Sequence, residues 1–378
     1  MADQTAPPHQ DAPLVLVTTQ TGRPAWQVNG YAAVKALSRD ARLADADPKL
    51  AHVRSEEPAV ALDGGEEPID SIGWARVLRR AFTPERVDAL KPRIQQLVRD
   101  LLDDIAAGRR PPDLHNEFSM PLITLVSCAL LEISEEDGYR TRAWWQALKT
   151  GNRAEAAEGQ AAILSYVRNL YASRQREPGD DFVSALIAAQ GPGAPYTEDA
   201  LKFLTSLVSK GRETPTNALD WGIVLLLRQP DMYRSLVREP ELVDSAVEEV
   251  LRLFPVISGK IQGPEGIRRF ALSDFQFHAN DIKRGDLMLL NVVAANMDDS
   301  VFPDSERFDI HRNPNPHLTF GFGPHSCPAA RLARLELLVA FAGLLERFPT
   351  LRLSIDSADL RYRERPTSEG FESLPVTW

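Results

Sequence analysis

Residues 317–345, HLTFGFGPHSCPAARLARLELLVAFAGLL, constrain this chain more than any other stretch. A loop rich in Gly and Phe (Phe320, Gly321, Phe322, Gly323) runs into Cys327 and Pro328. Leu332, Leu335, Val339, Ala342 and Leu345 then recur at three- and four-residue steps, which predicts a helix with one buried stripe. Pro328 suits the first turn of that helix, where its missing N–H costs nothing. Cys327 is therefore expected at a helix N-terminus, where free N–H groups and the positive dipole end favour a thiolate. The two glycines permit a tight backbone close to something flat, and Arg331 and Arg334 add positive charge. Taken alone, the cysteine reads more simply as a buried packing residue beside a turn.

The chain has 378 residues, room for one large domain or two ordinary ones. Its net charge of −10 argues against a nucleic-acid binder, which would usually be basic. Cys128 and Cys327 lie far apart in sequence and imply no disulfide framework, so a reducing cytoplasm is the expected compartment. The first residues show neither a basic leader nor a long apolar run, so no signal peptide or membrane anchor is expected.

Residues 1–13 are polar and read as a disordered tail. A strand is predicted at 24–28, a short helix at 31–38, and a loop at 53–73. Helices follow at 74–82 and from Pro84, with Thr83 as cap, then across 85–107 and 115–133. Cys128, in the apolar run LITLVSCALL, reads as core. Residues 140–173 read as helical, 174–181 as a polar break and 191–195 as a loop. Thr197 can cap a long helix over 198–227, weakened near its middle by Gly211 and Pro215. A helix at 245–255 carries Glu249 and Arg252 on one face, in isolation no more than a surface ion pair. Residues 256–292 alternate apolar and polar around Gly263, Pro264, Gly266 and Gly285 and read as sheet.

Four motifs in fixed order give these pieces a common meaning. F-G-x-G-x-H-x-C before an amphipathic helix resembles the haem-binding loop of the cytochrome P-450 (haem-thiolate monooxygenase) family, of the soluble bacterial type. The segment Gly211-Arg212-Glu213-Thr214 resembles the family's central-helix motif. Glu249 and Arg252, with Pro303, Glu306, Arg307 and Phe308, resemble its E-x-x-R helix and its P-x-x-x-R-F loop. The resemblance runs from about residue 14 to the end. It implies a mainly α fold with a small β region, as a single haem-thiolate domain over 14–378.

The resemblance also implies roles. Cys327 is the thiolate ligand of a haem b iron, and Phe320, Gly321, Gly323 and His325 shape the cofactor loop. Glu213 and Thr214 relay protons, in a kinked helix crossing the haem's distal face. Glu249, Arg252 and Arg307 form a structural network. Where the family has other residues, this chain departs. Ala329 replaces a glycine, and Ser71 and Ala75 stand in place of a propionate-binding His and Arg. Arg76 and Arg79 nearby either substitute for them or form a solvated basic face. Lys260 stands for a propionate-binding Arg and, with His325, can neutralise the haem carboxylates. Lys210 replaces a small residue beside the oxygen site; it can pair with an acidic substrate group, reach the iron, or turn to solvent. The loops near 53–73, 160–175 and 367–373 are expected around the substrate.

The activity so implied is dioxygen-dependent hydroxylation, epoxidation or oxidative coupling of a small secondary metabolite or small peptide. Electrons would come from ferredoxin and its reductase, docking near Arg76, Arg79, Arg80, Arg331 and Arg334. The alternative is a catalytically altered or haemless relative that activates a partner enzyme such as a glycosyltransferase. The altered propionate helix and Lys210 lean that way; His325 and Cys327 lean against it. A peroxide-using enzyme is a third reading.

Overall fold

The computed structural model describes residues 13–19, 21–44, 71–108, 111–148, 152–191, 197–254, 266–363 and 370–378, without the side chains of Ser71, Ile72, Lys210 and Arg363. Residues 1–12 of the expected tail, 53–70 of the expected loop, and Lys260 lie outside the described residues. In chain order the helices are α1 Tyr31–Leu37, α2 Ser71–Ala81, α3 Pro84–Ala89, α4 Lys91–Ala107, α5 Met120–Leu131, α6 Glu135–Ala147, α7 Arg153–Arg176 and α8 Phe182–Gln190. They continue with α9 Thr197–Val208, α10 Glu213–Leu227, α11 Pro230–Arg238, α12 Val243–Leu253, α13 Val292–Asn296 and α14 Ala330–Arg347. The strands are β1 Leu14–Thr18, β2 Pro24–Val28, β3 Leu43–Ala44, β4 Ile267–Ala271, β5 Phe275–Phe277, β6 Asn280–Ile282 and β7 Leu287–Leu290, then β8 Arg352–Leu353, β9 Tyr362–Arg363, β10 Gly370–Phe371 and β11 Val376–Thr377. The expected mainly α chain with a small β region is what forms.

Contacts divide the chain into two compact units. One comprises Met1–Asp70, Leu251–Asp309 and Asn313–Cys327. Its sheet runs β1-β2-β7-β4-β3, antiparallel except where β2 lies parallel to β7. β7 sits between two neighbours and is buried along its whole length, so it reads LMLL without a polar alternate. Val34 and Leu37 of α1 pack with Met288, Leu290, Phe302 and Leu318 in this unit's core, and Tyr31 meets Phe302 edge-on at 5.9 Å.

The other unit comprises Ser71–Val250, Ile310–Arg312 and Pro328–Trp378 and holds the long helices. Local chemistry sets several boundaries. Thr83 Oγ1 accepts the Arg86 N–H at 3.3 Å, with Pro84 in the first turn of α3. Asn152 and Asp181 cap α7 and α8 through their side-chain oxygens. The expected helix over 85–107 is two, broken at Leu90, because Pro92 opens a new first turn. The span 140–173 is likewise split, Ser134 capping α6 and Asn152 capping α7, and α7 runs on to Arg176 into the expected polar break. The expected start of α2 at Trp74 is too late; the helix opens at Ser71.

Candidate active site

The Cys327 loop belongs to the first unit and is built by three main-chain turns. Gly321 N–H donates to Leu318 O at 2.8 Å, Ser326 N–H to Gly323 O at 3.2 Å, and Cys327 N–H back to Phe320 O at 2.8 Å. Gly321 (φ 71°) and Gly323 (φ 81°) adopt left-handed backbone that a side chain disfavours. At Gly323 space also forbids one: a Cβ would lie 2.8 Å from Arg39 Cβ and 3.1 Å from its Cα. The loop thus ends on an exposed sulfur with its main chain fixed behind it. His325 sits half-buried in the 3₁₀ turn Gly323–His325.

Cys327 does not open the helix. Pro328 and Ala329 form a turn, α14 starts at Ala330, and its N-cap Ala329 offers no side-chain cap. The thiol is therefore fixed by the loop's own hydrogen bonds rather than by a place in the first helical turn. The buried face of α14 is also wider than the predicted stripe. Leu332, Leu335, Val339 and Leu345 are buried as expected, but so are Glu336, Leu337, Phe341 and Leu344, while Ala342 is exposed.

Behind the loop lies a clamp that the sequence motifs did not reveal. Asn296 Oδ1 accepts the Leu318 N–H at 2.7 Å, and its Nδ2 donates to Thr319 Oγ1 at 2.9 Å and to Arg252 O at 3.0 Å. Thr319 Oγ1 donates to Leu251 O at 2.7 Å. Both side chains are buried, so every one of these bonds is made away from water. Arg252 itself donates to Asn296 O at 2.8 Å and Arg307 O at 3.2 Å, its guanidinium lying over Phe302. In the other unit, Glu249 accepts from Arg312 Nε at 3.2 Å, with both side chains buried. Of the expected network, Arg252 and Arg307 are thus joined by Asn296 and Thr319 in the first unit, and Glu249 is paired with Arg312 in the other. The N-V-V-A-A-N and H-L-T spacings are the only sequence trace of Asn296 and Thr319.

The predicted long helix over 198–227 is two helices. α9 ends at Val208, Lys210–Arg212 form a 3₁₀ turn, and α10 begins at Glu213 with Pro215 in its first turn. The predicted weakness at Gly211 and Pro215 is therefore where the helix breaks. Arg212 holds the break together. It is buried, and it donates to Gly138 O at 2.8 Å, to Thr141 Oγ1 at 3.0 Å and to Val208 O. Burial lowers its pKa to about 10. Thr216 Oγ1 donates to Arg212 O at 2.7 Å. Glu213 is half-buried and lines a cavity of about 80 Å³ with Arg142, Trp145, Arg212, Thr216 and Phe371; Thr214 is exposed. Gly370 and Phe371, expected on a loop, form β10 instead and wall the same cavity, Phe371 packing on Trp221 and Tyr362. On the next turns of α10, Asp220 is wholly buried and bonded to His115 Nδ1 at 2.7 Å. Burial raises its pKa despite the imidazole.

Arg76 and Arg79 are exposed on α2 beside Arg80, opposite its buried Val77 and Leu78. Arg331 and Arg334 are not open charges: Arg331 grips Asp88 at 2.8 and 2.6 Å, and Arg334 grips Glu248 at 2.6 and 2.9 Å. Lys210 contributes its backbone to the 3₁₀ turn.

The donor set suits a haem iron: one exposed thiol sulfur, on a glycine loop whose backbone is already bonded, with a histidine two residues before it. The comparisons agree. The family model Cytochrome P-450 matches residues 143–359. The chain is 34% identical to the mycinamicin IV hydroxylase/epoxidase of Micromonospora griseorubida, covering 97% of this chain and 92% of that protein. It is 32% identical to the 20-oxo-5-O-mycaminosyltylactone 23-monooxygenase of Streptomyces fradiae, covering 100% and 89%. Among solved structures, the cytochrome P-450 hydroxylase LnmA from the leinamycin pathway of Streptomyces atroolivaceus superposes with a TM-score of 0.86 at 31% identity, over 98% of this chain and 94% of that one. A family model over more than half of the chain and relatives at 32–34% identity over nearly its whole length place this chain in the cytochrome P-450 family of haem-iron monooxygenases.

Proposed function

We propose that this chain hydroxylates, epoxidises or oxidatively couples a small secondary metabolite or small peptide, using haem b held by Cys327. The Cys327 loop carries the reading: a single exposed sulfur on a backbone closed by Cys327 N–H to Phe320 O. Bound haem supplies the iron at which dioxygen is reduced and one of its oxygen atoms is prepared for insertion. Gly321 and Gly323 would leave the loop free of side-chain bulk, Phe320 would offer it an aromatic face, and His325 with Lys260 would hold the cofactor's carboxylates. Arg76 and Arg79 either join them or receive the electron donor. Glu213, half-buried at the start of α10, and Thr214, the next residue, would hold and pass on the protons that dioxygen reduction consumes. Lys210, in the 3₁₀ turn before them, tunes that pocket. Ferredoxin and its reductase supply the electrons, in the cytoplasm. Among the described residues no single helix is long and apolar enough to cross a membrane.

The test is optical. The purified chain, reduced under carbon monoxide, should show the Soret band of thiolate-ligated haem, and Cys327→Ser should lose that band. A colourless wild-type protein that cannot be loaded with haem overturns the proposal in favour of a haemless auxiliary role. Lys210→Ala should alter the resting spectrum or the products; unchanged behaviour in both removes Lys210 from the site.

A further inference from the structure

The cavity beside α10 contains more positive charge than its walls neutralise. Arg212 and Arg142 both line it, and among the described lining residues Glu213 is the one carboxylate. Arg212 spends its guanidinium on neutral acceptors, the Gly138 and Val208 carbonyls and the Thr141 hydroxyl. Arg142, one turn after Gly138 on α6, is half-buried and makes no hydrogen bond or ion pair with any described residue. Asp220, the nearest buried acid on α10, is committed to His115. Two desolvated cations lining one small cavity cost stability, and a bound counter-charge relieves that cost. The lining is mixed, but buried Trp145, one turn on from Arg142, and Phe371 offer it apolar surface.

Size narrows the ligand further. About 80 Å³ is far below the roughly 300–1,000 Å³ of a pocket that encloses a whole drug-sized molecule. It takes one end of a molecule. A planar guanidinium fork matches a carboxylate through two parallel hydrogen bonds. We propose that this cavity binds a carboxylate-bearing end of the substrate, with Arg142 as the specificity-determining contact and Trp145 and Phe371 packing the adjoining carbons. That the ligand is the substrate rests on the monooxygenase reading; the carboxylate site does not.

The experiment is calorimetric titration of the full-length, haem-loaded chain with 4-phenylbutyrate and with its uncharged amide, near neutral pH and at low salt. Wild type should bind the acid about tenfold or more tighter than the amide, the factor expected of a charge-assisted hydrogen bond in a partly buried site. Arg142→Gln should bind both alike, and Arg142→Lys should keep part of the preference. Because Arg142 has no partner to lose among the described residues and its unpaired charge costs stability, the Gln variant should melt no lower than wild type. Equal affinities in wild type, no binding of the acid, or an acid preference that survives in Arg142→Gln each overturn the inference. The carbon-monoxide spectrum of the same samples separates the two ideas. A thiolate-haem band without acid preference defeats the carboxylate site alone, and acid preference without that band defeats the monooxygenase reading alone.

Discussion

Replacing Asn296 by alanine would remove three hydrogen bonds at once, to Leu318 N, Thr319 Oγ1 and Arg252 O. The buried Leu318 N–H loses its acceptor, and Thr319 Oγ1 and Arg252 O each lose a buried donor, at about 1 kcal/mol or more per lost bond. Asn296→Ala is therefore expected to lower stability by several kcal/mol and to weaken haem retention although the side chain belongs to no recognised loop motif. Chemical denaturation and the pigment-to-protein ratio measure both, and a variant with wild-type values would remove Asn296 from the clamp. Gly323→Ala tests the loop from the other side. Its φ of 81° and the Arg39 backbone 3.1 Å from the added carbon require the loop to move. Pigment binding should fall more than the melting temperature, since the strain sits next to Cys327. Equal losses in both would assign Gly323 to folding alone.

The break between α9 and α10 is an element held by one side chain. Arg212→Ala should cost about 3 kcal/mol or more, because the Gly138 and Val208 carbonyls and the Thr141 hydroxyl lose their buried donor together. Arg212→Lys should recover only part, since an ammonium lacks the fork that reaches several acceptors. If denaturation midpoints of the Lys variant equal wild type, the fork has no special role. Helix α14 allows a prediction with a sign. Burial alone raises the Glu336 carboxyl from 4.5 to about 8. Folded protein then keeps a proton that unfolded chain has released, so this group's contribution is full below about pH 4.5 and is lost as pH rises towards 8. The slope is at most about 1.4 kcal/mol per pH unit. Glu336→Gln should gain stability over wild type progressively across that window and hold a constant lead above it. A pH-independent difference in melting temperature would contradict the assignment.

At the scale of the whole molecule, charge decides how an electron donor is met. The chain carries a net −10, so the ferredoxin proposed as donor, if acidic, would need a local basic patch. Arg331 and Arg334 are already paired with Asp88 and Glu248, which leaves Arg76, Arg79 and Arg80 on the exposed face of α2. Arg79→Glu should slow reduction by ferredoxin, and the difference from wild type should shrink as salt rises. Loss of pigment in place of slower reduction would assign Arg79 to the haem carboxylates.

What the sequence by itself determined was whatever depends on neighbours along the chain. The Cys327 loop, the Thr83 cap, the weak point at Gly211 and Pro215 and the apolar stripe of α14 are local patterns, and a residue's spacing is enough to reveal them. Tertiary structure alone decided the rest. Asn296, Thr319 and Arg312 look ordinary in sequence because their partners lie 22, 68 and 63 residues away. Glu336 became a buried acid, and Arg212 a clamp rather than a solvated residue, only once other helices closed over them and removed the water that would otherwise have satisfied their charge.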